Sequence, residues 1–367
     1  MKILQIADYY DGSTGNPIAV MTKKLSERGN EVTVLTSNIS EKGKFENNEK
    51  FQVIRCWGFK LGNKAFIPSM KLKLLLRKEK IVHTHVLGFF STFLSALFKF
   101  RKYKLFLTPD FDIRGEKPKG LKKIYYRLFF DYPLKKADVI LPFTEMEKKE
   151  LHERFGIPRE KMKVLHIGID FEKFREKPKI DWRKKLGLEK KFTIINVCFL
   201  HEKKNIELTL KALAELKKQN KDFAFVHCGG IINQRYMDKI GRLSKELGLE
   251  KNIIFLGRKN LEEIIDVYKC ADVFVQTSFR ESYCIPILEA MAAGLPIVST
   301  NTGIASEIVE NGRTGFIAEN ETEISKRLIE LMDLKFRENI SKNCIETAKK
   351  FDWEKIIDEL EDVYRKN

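Results

Sequence analysis

Residues 271–300, ADVFVQTSFRESYCIPILEAMAAGLPIVST, hold the densest set of side chains suited to chemistry. They read as strand, loop, helix, glycine stop and strand. Pro286 suits a first helical turn, where its missing N–H costs nothing. Gly294 ends the helix. Glu281 falls in the loop at the carboxyl end of the strand, and Glu289 one turn inside the helix. Backbone N–H groups of Ser282, Tyr283, Cys284 and Ile285 then gather at the positive end of that helix. This is an anion site, and a diphosphate is its natural guest. A carboxylate just beyond it suits the paired hydroxyls of a ribose.

The elements that must position these groups repeat along the chain. KILQIAD, EVTVLTS, KIVHTHV, KLFLTPD and ADVILPF read as strands, with helical stretches between them. The first helix, IAVMTKKLSERG, spaces Ile18, Met21, Thr22 and Leu25 along one face and stops at Gly29. A second series, FTIINVCFL, DFAFVHCGG, NIIFLGR, ADVFVQTS and LPIVSTN, has near-continuous apolar runs, as in strands buried on both faces. The helix NIELTLKALAELKKQ between them lines up Leu208, Ala212, Leu213 and Leu216. Alternating strands and helices imply parallel sheets. The reading is α/β: two doubly wound, Rossmann-like α/β/α domains facing across a cleft, with a linker near 164–180. The expected domains are 1–172 and 173–350, with a terminal helix at 351–367.

Composition narrows the classes. The hydrophobic share of 43% is that of a globular protein. No run approaches a spanning helix and the N-terminus reads as a strand, so the expected place is the cytoplasm. The six cysteines are scattered without zinc or redox spacing. His83 and His85 lie two apart on one strand with no third ligand visible, so no metal site is read. The net charge of +17 is uneven. Residues 60–136 carry 19 basic and 5 acidic side chains. Such a patch attracts an anionic membrane or a phosphorylated substrate. No nucleic-acid recognition module is present, and no nucleic-acid partner is expected.

RESYCIPILEAMAAGLPIV resembles the donor-site signature of retaining glycosyltransferases of family 4, which have the GT-B fold. Other segments follow in the family's order: RGNEVTVLTS, IVHTHVLG, VLHIGIDFEKF, CFLHEKKNIELTLKAL, GIASEIVENGRTGFIAE and the terminal FDWEKIIDELEDVYRK. The resemblance spans nearly the whole chain. It implies transfer of a sugar from a nucleoside-diphosphate sugar to a lipid-linked or saccharide acceptor, with retention and without a metal or other cofactor. It assigns the ribose hydroxyls to Glu289, the donor sugar to Glu281, the diphosphate to Lys204, close approach to that diphosphate to Gly15, and the reaction centre to His85. The cleft is expected to close by hinge motion near residues 170–180.

Several positions depart from the family pattern. Its Gly-Arg-Leu before the lysine reads Cys198, Phe199, Leu200, which removes a phosphate-binding cation; Lys203, His201 and Arg258 are the candidate replacements. Cys284 stands where a glycine is expected, and Thr14 replaces the first of a glycine pair. Thr-x-His reads Thr108, Pro109, Asp110. Asp110, with Asp112, is a candidate acceptor contact. Two alternatives stay open: a catalytically impaired nucleotide or polyanion binder, which these departures suggest, and a sugar-nucleotide epimerase or phosphorylase on the same fold. In GLKKIYYRLFFDYPLKK, Leu121, Ile124, Tyr125, Leu128 and Phe129 read as a core stripe. Tyr126, Phe130 and Tyr132 are left among the cations. Lys122, Lys123 and Arg127 are thus candidate acceptor or membrane contacts, and the protein is expected peripherally on the inner face of the membrane.

Overall fold

The computed structural model describes residues 1–12, 16–39, 51–62, 64–110 and 119–367; Gly15, Thr14 and Asp112 lie outside them. Two compact units form, Met1–Gly168 with Trp353–Asn367, and Ile169–Asp352.

The first unit contains β1 (Lys2–Ile6), β2 (Glu31–Ser37), β3 (Phe51–Cys56), the hairpin β4 (Phe59–Leu61) and β5 (Lys64–Phe66), β6 (Ile81–His85), β7 (Lys104–Thr108) and β8 (Val139–Ile140). Its main sheet runs β3-β2-β1-β6-β7-β8, with every pairing parallel. The second unit contains β9 (Phe192–Val197), β10 (Phe223–Cys228), β11 (Ile253–Gly257), β12 (Val273–Gln276), β13 (Ile297–Ser299) and β14 (Gly315–Ile317). They run β11-β10-β9-β12-β13-β14, again all parallel. Each sheet therefore reverses its strand order once, between β1 and β6 and between β9 and β12. Doubly wound sheets bind ligands at the carboxyl ends of the strands beside that reversal.

Local chemistry explains the elements. Asn16 caps the helix Pro17–Glu27, its Oδ1 accepting from the Ile18 N–H at 3.0 Å, and Met21, Thr22 and Leu25 are buried under it. Helix Ile206–Lys218 buries Ile206, Leu210, Ala212, Leu213 and Leu216. Leu208 sits at the margin of that face. The terminal helix Trp353–Lys366 buries Trp353, Ile356, Ile357, Leu360, Val363 and Tyr364 within the first unit. Arg28 and Lys24 pair with its Glu354 at 2.6 and 2.7 Å. Each buried aliphatic side chain contributes about 2 kcal/mol, whereas an exposed ion pair contributes about 0.5 kcal/mol. Packing, not charge, seats this helix.

The segment after Gly120 corrects one expectation. Leu121, Ile124 and Leu128 are exposed, not core residues, whereas Phe130 is buried. Helix Leu121–Tyr126 passes into a π-turn over Arg127–Asp131 before helix Tyr132–Lys136. The wider turn and two stacked aromatic pairs, Tyr125 on Phe129 at 4.8 Å and Tyr126 on Phe130 at 4.6 Å, set which side faces inward. Lys122, Lys123 and Arg127 are exposed beside the three aliphatic residues. Among the described residues no helix is long and apolar enough to cross a membrane.

Candidate functional site

At the reversal of the second sheet, β12 ends in buried Gln276, and the chain crosses Ser278 and Glu281 before helix Ile285–Ala292. The neighbouring β9 leads into a tight turn, Glu202–Lys204. Lys204 Nζ donates to Glu281 Oε1 at 2.6 Å. The same oxygen accepts from Ser278 Oγ at 2.6 Å and from Gln276 Nε2 at 2.9 Å. Three donors on one oxygen fix the carboxylate. Among the described residues its Oε2 takes no bond and Lys204 Nζ makes no other. Burial works against the Lys204 charge, but Glu281 outweighs it and holds the ammonium above its usual range.

A second layer orients this pair. Asn196 Nδ2 donates to Gln276 Oε1 at 3.0 Å and to the Val275 carbonyl at 2.7 Å. Cys198 Sγ donates to Asn196 Oδ1 at 2.9 Å. The Glu281 N–H donates to Thr302 Oγ1 at 2.8 Å.

The following turn holds Ser282, Tyr283, Cys284 and Ile285. Cys284, at the start of the helix, has φ +79° and ψ 67°, the left-handed region that glycine usually fills. Holding a side chain there costs about 1–2 kcal/mol. The clamp that enforces it is visible: the Tyr283 carbonyl accepts from the Ile304 N–H at 2.7 Å. Gly303, at φ +54°, lies so close that a Cβ on it would sit 2.3 Å from the Tyr283 oxygen. Further along the helix, Glu289 accepts from the Tyr268 hydroxyl at 2.8 Å. Burial raises the Glu289 carboxyl to about 7, the Tyr268 bond offsetting only part of it. Burial and Glu289 together push the Tyr268 phenol well above its usual range.

Phe199 is 49% exposed where the family pattern has a cation. A Cβ on Gly230 would lie 3.4 Å from the Phe199 ring and 3.8 Å from Arg258 Cβ, so both side chains flank one stretch of backbone. Arg258 is exposed and has no partner among the described residues. His201 caps its own turn instead, with Nδ1 accepting from the Lys203 N–H at 3.1 Å.

In the first unit His85 ends β6 and is 2% exposed. Its Nε2 bonds Gln5 Oε1. Burial lowers its pKa to about 3, so the ring is neutral. His83 is a buried structural histidine, with Nδ1 at 2.6 Å from the Tyr364 hydroxyl and Nε2 at 2.8 Å from Thr108 Oγ1. Val86, directly after His85, has φ +67°, an outlier for a β-branched residue. Asp110 is exposed with φ +45°. Asp8, at the end of β1, accepts from the Ser91 N–H at 3.1 Å, and burial raises it to about 6.

The structure thus brings Lys204, Glu281 and the turn Ser282–Ile285 together, with Glu289 on the same helix. Gln276, Ser278, Asn196, Thr302 and Gln5 were missed. The available signal was a polar residue inside an otherwise apolar buried strand, as in FTIINV, VFVQ and KILQI.

Residues 178–351 match the family described as Glycosyl transferases group 1, and residues 18–173 match Glycosyltransferase Family 4. A D-inositol 3-phosphate glycosyltransferase of Corynebacterium jeikeium is 27% identical over 239 residues, covering 62% of this chain and 57% of the relative. An uncharacterized glycosyltransferase of Methanocaldococcus jannaschii is 29% identical over 236 residues, covering 62% of this chain and 59% of the relative. These matches span little more than half of the relatives' length. In structure, Anabaena HepE in complex with UDP superposes over 100% of both chains with a TM-score of 0.84 at 19% identity. With two Rossmann-like parallel sheets, a matched family over each unit and this structural likeness, the chain has the GT-B fold and belongs to the family 4, group 1 glycosyltransferases.

Proposed function

We propose that the protein transfers a sugar from a nucleoside-diphosphate sugar to a saccharide or lipid-linked acceptor, with retention and without a metal. The observation that carries this reading is the convergence of Lys204 on Glu281 at the sheet reversal, beside a helix start held in left-handed backbone at Cys284. Lys204 and the amides of Ser282 to Ile285 take the diphosphate; Arg258 supplies the cation absent at Phe199. Glu289 holds the ribose diol and Glu281 the donor sugar. Gly15 gives the diphosphate room, and His85, neutral at all ordinary pH, accepts a bond from a sugar hydroxyl. The anomeric carbon–phosphate oxygen bond breaks while the bond to the acceptor oxygen forms on the same face. The acceptor proton passes to the departing diphosphate, whose charge Lys204 offsets. No protein base is needed, which agrees with a His85 too weakly basic to serve as one.

Uridine diphosphate is the first nucleotide to test, because the Anabaena neighbour holds it. Calorimetry should show binding in excess EDTA, and Lys204→Ala should weaken it by about 10- to 100-fold, the loss of a charge-assisted contact. Unchanged affinity in Lys204→Ala, or transfer lost in EDTA and restored by manganese, overturns the reading. Phe199 supports a second reading, nucleotide binding without transfer. Release of nucleoside diphosphate from the sugar donor on addition of acceptor separates the two.

A further inference from the structure

The described part of the first unit carries a buried polar chain that a stabilising role leaves unexplained. It runs from Thr108 through His83 and Tyr364 to Gln5 and His85. Gln5 lies opposite His83 in the β1–β6 pairing and is fully buried. Its Nε2 faces the Tyr364 hydroxyl at 3.3 Å and Met21 Sδ at 4.0 Å, which turns its Oε1 toward His85. A carboxamide oxygen can only accept, so His85 Nε2 must carry the proton. The rest of the chain fits this direction. The Gln5 amide donates to the Tyr364 oxygen, the Tyr364 hydroxyl donates to His83 Nδ1, and the His83 Nε2–H donates to Thr108 Oγ1. Every donor of this chain except the Thr108 hydroxyl then meets an acceptor. His85 Nδ1 is left as a lone pair without a partner among the described residues.

We propose that Gln5 and Tyr364 are positioning residues that hold His85 as its Nε2–H tautomer, presenting Nδ1 as the acceptor for a hydroxyl of the transferred sugar. This rests on the transferase reading for the sugar, but the tautomer itself does not. Burial supports the lock, since it keeps His85 uncharged down to about pH 3. Tyr364 reaches this place because the terminal helix is seated by packing. His85 is thus set by a residue 279 positions further along the chain, through Gln5 and across 359 positions of sequence between Gln5 and Tyr364.

The test is nitrogen-15 correlation spectroscopy of the imidazoles in the full chain, read together with transfer kinetics. The parent protein should show His85 protonated at Nε2 alone throughout pH 5–8, the range spanned by ordinary histidine titration. Gln5→Leu should populate both tautomers and lower kcat about tenfold, the worth of one neutral hydrogen bond, with donor KM little changed. Tyr364→Phe, a smaller lesion that keeps the ring, should loosen the tautomer in the same direction with a smaller fall in kcat. A proton on Nδ1 in the parent, or a Gln5→Leu spectrum identical to the parent's, overturns the proposal. So does a scrambled tautomer with unchanged kcat, which would make the chain structural only. Absence of transfer by the parent with every donor tried fells the transferase reading instead, and the parent spectrum still decides where the proton lies.

Discussion

Glu289 should make the second unit less stable than it could be, and the cost should vary with pH. The folded-state value of about 7 lies above the usual 4.5. The sign follows from linkage. A carboxyl raised by folding contributes fully below 4.5, and its contribution is lost as pH rises through about 7. The full difference corresponds to about 3 kcal/mol at pH 8, and the partial exposure of the residue reduces this to about 2 kcal/mol by solvent screening. Glu289→Gln keeps an oxygen for the Tyr268 hydroxyl and removes the titration. The variant and the parent should therefore match in urea unfolding near pH 5, and the variant should be more stable by about 2 kcal/mol at pH 8. Donor binding should move oppositely. If Glu289 holds the ribose as proposed, a neutral amide there replaces a carboxylate that accepts from two hydroxyls, and affinity should fall by about 10-fold or more. In the parent, affinity for a nucleotide sugar should rise with pH through about 7, as the ribose selects the charged form. A stability difference that is the same at pH 5 and pH 8 refutes the argument.

Three further outcomes follow from the geometry. Cys284→Gly should be neutral or stabilising by up to about 1 kcal/mol, whereas Cys284→Val should cost more than about 2 kcal/mol, because a β-branched side chain resists the left-handed region; equal unfolding midpoints for the two variants refute the strain. Gly303→Ala should destabilise the second unit by about 2 kcal/mol or more and lower nucleotide affinity, since its Cβ meets the Tyr283 carbonyl; wild-type calorimetry and unfolding would count against the clamp. Lys122, Lys123 and Arg127 with Leu121, Ile124 and Leu128 should bind acidic but not neutral vesicles, less so in high salt, and the triple change to Glu should abolish co-sedimentation; indifference to acidic vesicles at low salt points to a soluble acceptor.

Much of the fold was legible because buried parallel strands write themselves as apolar runs. The strands that escaped are those with the least to bury. β3 is an edge strand, mostly half-buried, β14 spans three residues, and the hairpin β4–β5 is largely exposed. The Leu121 stripe was misread because apolar spacing does not say whether a face is covered: helix Leu121–Tyr126 buries no residue, and from Arg127 a π-turn shifts the face before Phe130 goes inside. At the site, the local motif gave Glu281, Ser282–Ile285 and Glu289. The resemblance gave Lys204, which the structure then placed on Glu281. The supports were harder to read. Gln276 and Gln5 show only as polar residues in apolar strands, Thr302 and Gly303 act through contacts that leave no periodic trace, and the Gln5–Tyr364 bond joins the two extremes of the chain.

The two cysteines at family glycine positions show how a backbone demand survives a change of residue. Cys284 keeps the left-handed turn and absorbs the strain, with its side chain buried and its carbonyl accepting from the Ile287 N–H at 3.1 Å. Cys198 shows no positive φ. There the requirement for a bare backbone sits instead on Gly229, where a Cβ would lie 1.7 Å from the Cys198 carbonyl oxygen. The Cys198 thiol in turn bonds Asn196, which orients Gln276 on Glu281. A glycine at 198 would supply no such donor. The substitution therefore adds a support to the Glu281 carboxylate while leaving the approach of the two loops intact. The loss at Phe199 is of another kind, because no backbone geometry can replace a missing cation; Arg258 flanks the same stretch of backbone as Phe199 and carries such a charge.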